Sequence, residues 1–496
     1  MFIKILFLVI FILITIGVGI YSRKRVHGIN DFFLGSRNMG AWMSAFAYGT
    51  SYFSAVVFVG YAGKFGWDNG ISVVWIGVGN AIIGCLFAWL LLAKRTRSMT
   101  HKLNASTIPE FFAERYDSKA MKIVSAVVIF IFLVPYTASI YKGLGYMFES
   151  SYGLPMNTII LIMTGLTGIY LILGGYVATA INDLIQGVIM IVGSILMVTF
   201  ILSRPEVGGL TQGLATLNSI NPALTSVFGP APIKLGALVL LTSLGTWGLP
   251  QMLHKFYAIK DEKAIKRGTI ISTVFALIIG CSAYFSGVFG RVMLGNEVPM
   301  GNRDMIIPKM LELALPDALM GVIIVLMLSA SMSTLASLVL VSSSVISIDL
   351  IKGFIKPNID QKKTMQNMRL FCLAFLALAF FMAIWQNPTI DALMALSWGV
   401  ISGMFIAPYL FGLLWKGTTR LGAWAGFAAG SLAMTIGLII ELPKAGFNMA
   451  KIFMPGIGAV AMIASIVAVP VVSLISKKYG DVHIKKIFDE SKENVA

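Results

Sequence analysis

Charge is scarce in this chain. Of 496 residues, 12% are Asp, Glu, Lys or Arg, where a soluble protein of this length carries about a quarter. Cysteine is scarcer still. The three cysteines, Cys85, Cys281 and Cys372, all sit in apolar stretches. They cannot build an external disulfide framework, and their spacing matches no metal site. The four histidines, His27, His101, His254 and His483, fall at the ends of apolar stretches or in the basic loops between them. No His–carboxylate pair and no Ser–His–Asp set shares one depth, which argues against an intramembrane hydrolase or redox enzyme. The net charge is +16, yet no basic face interleaved with aromatic platforms is visible. A nucleic-acid partner is therefore not expected, and the charge reads as adhesion to anionic lipid.

What the chain does have is apolar sequence, 57% of it, in runs near the ~20 residues that cross a bilayer. The expectation is an all-α integral membrane protein. About thirteen transmembrane helices are read, at 2–22, 41–64, 70–93, 123–148, 156–174, 176–203, 233–254, 268–294, 316–347, 368–386, 391–415, 420–441 and 452–476. The first resembles a signal peptide, with Lys4 ahead of the apolar run. No small-x-small cleavage site follows, so it reads as a retained helix. Arg23, Lys24 and Arg25, the "KRTR" of 94–97, and Lys477 and Lys478 all fall on one side. By the positive-inside rule the N-terminus is outside and the basic tail 477–496 cytoplasmic. The expectation is thus a multi-pass cell-membrane protein with one transmembrane domain over 1–476 and no obligate protein partner evident.

Two of these spans are interrupted. "AYGTSYFS", from Ala47 to Ser54, places Gly49 among hydroxyl side chains. "LLTSLGTWGLPQML", from Leu240 to Leu253, carries Gly245, Gly248 and Pro250. Glycine loosens the backbone, and proline removes a helical donor and crowds the preceding turn. The two spans stand five apart in order. Paired breaks at matching places point to two five-span halves in inverted repeat, with a binding site between them. Unwound carbonyls must be satisfied, and a sodium ion with nearby hydroxyls would do so. A Ser/Thr-rich packing face is the alternative. A third segment, "LSASMSTLASLVLVSSS" (328–344), adds Ser333 and Thr334, with Ala330 and Ser337 on the same helical stripe. Neutral hydroxyls suit a hard monovalent cation, whereas a carboxylate cage would suit a divalent one.

Several stretches resemble the sodium:solute symporter family, which includes sodium–proline, pantothenate, sialic-acid and sodium–glucose carriers. They are "DFFLGSRNMGAW" (31–42), "SYFSAVVFVGYAG" (51–63), "TIPEFFAERY" (107–116), "GGYVATAINDLIQG" (174–187), "GTWGLPQMLHKF" (245–256), "SASMSTLASLVLVSSS" (329–344) and "APYLFGLLWKGTTRLGAWAG" (407–426). The resemblance covers nearly the whole chain. It implies a five-plus-five inverted-repeat transporter core over about 41–441, with one helix before and two after. It also implies a sodium site made by the backbone carbonyls of Thr50, Phe53 and Ala330 and the hydroxyls of Ser333 and Thr334. Asp183 matches the acidic residue of a second sodium site found in some members, with Ser337 beside it. Ala336 stands where those members have a further hydroxyl, so one coupled ion is expected. Asp183 also reads as a structural acid near the start of its helix.

The solute site is expected between the broken helices. Candidates are Ser54, Val57, Trp75, Asn80, Tyr136, Lys142, Thr246, Trp247, Gln251 and Trp398. Val56, Val57 and Thr246 depart from the sugar-carrying members. Lys142 either pairs with a solute carboxylate or extends to the surface. The expected function is sodium-coupled import of a small organic solute bearing a carboxylate, such as proline or a monocarboxylate or pantothenate-like acid. The alternative is a sialic-acid or other sugar symporter. A passive channel would not need paired breaks, and a transporter-derived sensor would need an output domain that the short tail does not supply.

Overall fold

The computed structural model describes residues 2–23, 28–384 and 389–488. Among these residues the chain is helical, and the only extended pairing is an isolated parallel bridge between Met39 and Ile259. Hydrocarbon offers the backbone no hydrogen bonds, so each apolar run closes its own as a helix. The helices that place the site are α1 (Phe2–Arg23), α2 (Ala41–Tyr52), α3 (Ala62–Asn69), α4 (Val74–Ala81), α5 (Ile108–Tyr116), α6 (Lys119–Tyr152), α7 (Met156–Ser203), α8 (Pro232–Val239), α9 (Pro250–Tyr257), α10 (Glu262–Val288), α11 (Ile306–Ala314), α12 (Asp317–Ser344), α13 (Gln361–Ile384), α14 (Ile390–Leu414), α15 (Arg420–Lys444), α16 (Met454–Ile475) and α17 (Asp481–Phe488).

Among the described residues, ten helical stretches are long and apolar enough to span a bilayer, or eleven with the bent pair Pro232–Gly248 and Pro250–Tyr257. This count stops short of the thirteen read from the sequence. The expected span 41–64 is divided, because α2 ends at Tyr52 and a wide helical turn begins at Val56. The turn passes into α3, and Gly70 (φ 59°, ψ −139°) then turns the chain, so that the next expected span is separate from it even though 56–102 is helical almost throughout. The expected span 156–174 is a shorter apolar helix, joined to 176–203 through Gly175. Gly175 has φ 52°, and a Cβ there would stand 2.6 Å from Phe32. Only glycine allows that bend and that approach.

Burial grades from centre to rim. In α12 and α14 the apolar windows are 94% buried, against 17% in α1 and 28% in α15. α12 packs on α1, α2, α6, α7 and α13, α10 packs on α2, α3 and α4, and α14 packs on α6, α15 and α16. Helices that are apolar all round belong in the middle, and those with an unburied apolar face belong against lipid.

Polar ties close both ends of the bundle. On the face where α1 begins, Lys4 pairs with Asp317 at 2.8 Å and Lys64 with Asp391 at 2.7 Å. On the opposite face, Arg37 donates to Ala105 O at 2.7 Å, and Arg97 donates to Ile259 O at 2.9 Å and Lys260 O at 2.6 Å. The buried Arg115 donates to Gly412 O at 2.8 Å. The tail folds onto this region as α17. Tyr479 donates to Tyr116 O at 2.8 Å, and the Phe488 ring lies 5.1 Å from the Arg115 guanidinium. Of the basic stretch after α1, Lys24 and Arg25 fall outside the described residues, as does the tail beyond Phe488.

The break between α8 and α9 bends the chain by 45°. It is held by close approach of α14, since a Cβ on Gly248 would lie 2.9 Å from Ser402 Cα and 3.0 Å from Ile406 N. Gly248→Val must therefore displace backbone. Overpacking of this kind costs about 1–3 kcal/mol, and the thermal unfolding midpoint in detergent should fall. Gly236→Ala is the control, because nothing lies within 4 Å of its Cβ position and it should hold or raise the midpoint.

Candidate ion-coupling and solute site

The first break ends α2 at Tyr52 and leaves Phe53 extended (φ −108°, ψ 114°). The carbonyls in the last turn of a helix have no amide four residues on. Here the middle of α12 faces them. Ser333 Oγ lies 3.0 Å from Thr50 O, 3.0 Å from Ser329 O and 3.1 Å from Ala330 O. Thr334 Oγ1 lies 3.3 Å from Thr50 O, 3.3 Å from Ser51 O and 3.0 Å from Ala330 O. Each hydroxyl has one proton to donate. Two protons thus face four carbonyl oxygens, and the surplus of inward-facing oxygen dipoles is the donor set that a monovalent cation takes. Among the described residues no three His, Cys, Asp or Glu side chains cluster as metal ligands do. Thr50, Ala330, Ser333 and Thr334 are brought together. Phe53 sits at the break with its ring stacked on Tyr52 at 4.7 Å.

Other polar groups here stitch the two breaks together. Ala55 N donates to Ser331 Oγ at 3.1 Å, Tyr52 OH to Thr242 O at 2.6 Å and Ser402 Oγ to Gly245 O at 2.6 Å. Tyr48 OH donates to Gly84 O at 2.7 Å. Thr242 and Gly84 lie in widened helical turns, Leu240–Leu244 and Ile82–Phe87, whose carbonyls are out of regular register.

The solute candidates divide into two groups. The Trp398 ring meets Tyr136 edge-on at 5.7 Å and Tyr52 at 6.4 Å, with Ser54 beside the Tyr136 hydroxyl. Val57 is buried on the same broken segment. Gln251 is buried with both amide atoms unpaired, and Trp398 Nε1 is unpaired too. Asn80 accepts from Ser243 at 3.0 Å, Thr246 Oγ1 donates to Ser243 O at 2.9 Å, and Trp247 Nε1 donates to Ile83 O at 2.9 Å. These three are engaged in holding the second break. Trp75 lies apart from the rest, 46% exposed, with Nε1 on Val227 O at 2.9 Å. Lys142 does not extend to the surface but is buried at 1% exposure, and its charge acts on Asp304.

Asp183 has a neighbour that sequence reasoning missed. Lys255 Nζ of α9 lies 3.6 Å from Asp183 Oδ2, and both side chains are fully buried. In the sequence Lys255 reads as a loop cation after a span, so only the bend of α9 back into the bundle reveals it. Ser337 is occupied as well, 2.8 Å from Ser51 Oγ and 3.1 Å from Ser333 O.

The fold and this oxygen-lined break define an ion-coupled transporter of the inverted-repeat class. The sodium:solute symporter family model matches residues 32–430, and the chain belongs to that family. A sodium/proline symporter of Haemophilus influenzae is 30% identical over 489 residues, covering 96% of this chain and 95% of its own. The osmoregulated proline transporter OpuE of Bacillus subtilis is 29% identical over 473 residues, covering 95% and 94%. Among solved structures, a substrate-bound, outward-open Na+-coupled sialic acid symporter superposes with TM-score 0.76 at 17% identity, over 96% of this chain and 99% of that one. That likeness shows the fold.

Two expectations follow. Ser333→Ala or Thr334→Ala removes one oxygen from the shell. A lost interaction with a charge is worth about 1.5–3 kcal/mol, so the sodium concentration for half-maximal uptake should rise at least about tenfold. Unchanged sodium dependence in both variants would place the ion elsewhere.

The second concerns the closed face beside Lys64 and Asp391. Asp304 lies there in the loop before α11, accepting from Ile390 N at 3.2 Å. Burial, then the Asp391 charge, pushes its carboxyl up to about 6, against the opposing pull of the Ile390 amide, Lys64 and Lys142. A raised carboxyl pKa favours the shut arrangement when protonated. That contribution is complete below the ordinary value of 3.8 and is lost as pH rises through about 6. In protein lacking the native cysteines, thiol labelling at Ser54→Cys should therefore slow between pH 7 and pH 5 by more than the falling thiolate fraction accounts for. Asp304→Asn should leave only the fall due to the thiolate.

Proposed function

We propose that this protein is a sodium-coupled symporter that imports proline or a closely similar small carboxylate-bearing solute across the cell membrane. The observation that carries the reading is the oxygen-lined break formed by Thr50, Ala330, Ser333 and Thr334. It lies in a chain that aligns end to end with proline carriers. The sodium shell is completed by the Phe53 carbonyl. The solute sits on the far side of the broken segment, against Ser54, Val57, Tyr136 and Trp398. Its walls are aromatic rings and an apolar face, which suit a pyrrolidine ring better than a polyhydroxylated sugar. Gln251 supplies unpaired amide atoms nearby for the solute's polar end. The transporter domain occupies 1–476 with its core over about 41–441, and the chain is a carrier rather than an enzyme. The N-terminus faces outward and the tail faces the cytoplasm, as the basic loops favour. The inward sodium gradient and the potential, about 2.3 kcal/mol per charge per 100 mV, drive uptake.

One sodium ion is coupled per solute. The Lys255 ammonium beside Asp183 already supplies a cation where a second ion would go, and Ser337 is engaged with Ser51.

The experiment is uptake of a radiolabelled solute panel into proteoliposomes, with and without a sodium gradient. Proline should be accumulated only with sodium, with one charge moved per zwitterionic solute and a Hill coefficient near one. Asp183→Asn should leave that coefficient near one and lower turnover, because Lys255 then loses its counter-charge, at a cost of about 3–5 kcal/mol for a broken buried pair. Two charges per solute in the parent, reduced to one in both Asp183→Asn and Ser337→Ala, would overturn the one-ion reading. Sodium-independent accumulation would overturn the symport itself.

A further inference from the structure

On the proposed cytoplasmic face α5 lies across several neighbours, packing on α6, α9, α14 and the wide helical turns Val345–Ile355 that continue α12 without a break. Its two ends are held differently. The last carbonyls of a helix have no amide partners, and here the rest of the chain supplies them. Tyr116 O accepts from Arg420 Nε at 2.9 Å and from Tyr479 OH at 2.8 Å, and His483 Nε2 lies 3.1 Å from Arg115 O. Arg115 itself donates to Gly412 O at 2.8 Å and to Trp415 O at 3.2 Å. That end is anchored to α14, to the start of α15 and to the tail.

The other end rests on one buried carboxylate. Thr107 caps α5, accepting from Glu110 N at 3.1 Å, while Glu110 Oε2 accepts from Ser106 N at 2.8 Å. The cap's own proton goes to Asp349 Oδ1 at 2.8 Å. Lys122 Nζ of α6 bridges the two acids, 3.4 Å from Asp349 Oδ1 and 3.3 Å from Glu110 Oε1. Asp349 is fully buried, and its Oδ2 has no partner. A carboxylate is costly to bury and regains hydration when uncovered, so water can undo this tie. Packing beneath it is incomplete. A void of about 10 Å3 is lined by Thr107, Pro109, Pro250, His254, Val341 and Ser344. Ser344 stands about 15 Å along α12 from Thr334.

We propose that α5 is a lid over the inward path from the ion shell, hinged at Arg115 and Tyr116, and that Asp349 is its latch. Asp349 is thus a positioning residue for ion release, an inference that rests on the symport reading above. The helix that presents Ser333 and Thr334 to the ion carries Asp349 at its far end. A shift of α12 as the shell empties pulls Asp349 from the cap of α5, and the carboxylate hydrates as the lid lifts. Conversely, a closed latch holds α12 in the register that sets Ser333 and Thr334 against Thr50.

The test uses the full chain without its native cysteines in phosphatidylcholine nanodiscs. Ser344→Cys reports the inner path and Ser54→Cys the solute site. Maleimide labelling rates are read with neither sodium nor solute present. Thr107→Val removes the hydroxyl that bonds the carboxylate, so labelling at Ser344→Cys should quicken about tenfold. Asp349→Asn keeps an acceptor but not the charge, and about threefold is expected. Lys122 keeps Glu110 in that variant, so no ammonium is stranded and the melting midpoint should hold. Thr107→Ser keeps the hydroxyl and should label as the parent does. Ser54→Cys should quicken in none of them, which separates an opened lid from a loosened fold. Unchanged labelling at Ser344→Cys in both Thr107→Val and Asp349→Asn would overturn the latch. So would equal quickening at Ser54→Cys, or Thr107→Ser quickening as much as Thr107→Val. Labelling requires no coupled transport, so sodium-independent uptake would sink the symport reading and leave this result standing.

Discussion

The structure depends on one constraint, which is that an unwound backbone inside hydrocarbon must find its hydrogen bonds from somewhere. Two spans are broken, and the breaks are not satisfied separately. Tyr52, at the end of the first, donates to Thr242 beside the second. Trp247 and Thr246, in the second, donate to Ile83 and Gly84, and Tyr48 returns a donor to Gly84. Ser331 of α12 accepts the Ala55 amide, and Ser402 of α14 caps Gly245. The hydroxyl-rich stretch 47–54 is thus first a means of letting the chain unwind. The carbonyls of Thr50 and Ser51 are met by the hydroxyls of Ser333 and Thr334, and the proposed ion site rests on this group of oxygens.

This division separates holding residues from binding residues. Asn80, Thr246 and Trp247 have partners between the second break and the segment 80–84, and moving them would cost those hydrogen bonds. Gln251, Trp398 and Ser329 are buried with polar atoms unpaired. Buried polar atoms without partners cost stability unless something pairs them, and these three are candidates to take a partner from the solute. Unpaired groups at the centre and paired groups behind them are what a site needs in order to bind without collapsing.

The helices and both breaks were legible in the sequence because they are local. Apolar runs, Gly245, Gly248 and Pro250 act on their own segments. So does the stripe that puts Ala330, Ser333, Thr334 and Ser337 on one face of α12. The number of separate spans was less legible, since Gly70 and Gly175, both at positive φ, turn the chain between helical stretches that follow one another with hardly any loop. Contacts between distant segments were not legible at all. Nothing near Lys255 in the chain announces Asp183, and nothing near Lys64 announces Asp391. Trp75 looked like a pocket residue by type and was instead drawn out to the 227 loop by a single indole hydrogen bond. Lys142 looked long enough to reach solvent, but its helix turns it toward Asp304.

The buried charges add a second constraint to the fold. Asp183 in a low-dielectric site demands a cation, because an isolated carboxylate there is too costly. In this chain the demand is met by a tethered ammonium on α9, the helix that follows the second break. The cation therefore moves with the protein and not with the solute. Its field is present in every arrangement that keeps α7 beside α9, and it changes only if those helices part. The neutral oxygens of Thr50, Ala330, Ser333 and Thr334 have no such resident charge beside them, and in the proposed function their cation comes from the medium. On the proposed reading, a fixed charge at one place and an exchangeable charge at the other, both bordering the first break, would couple one ion to one solute, with the tethered ammonium holding α7 to α9.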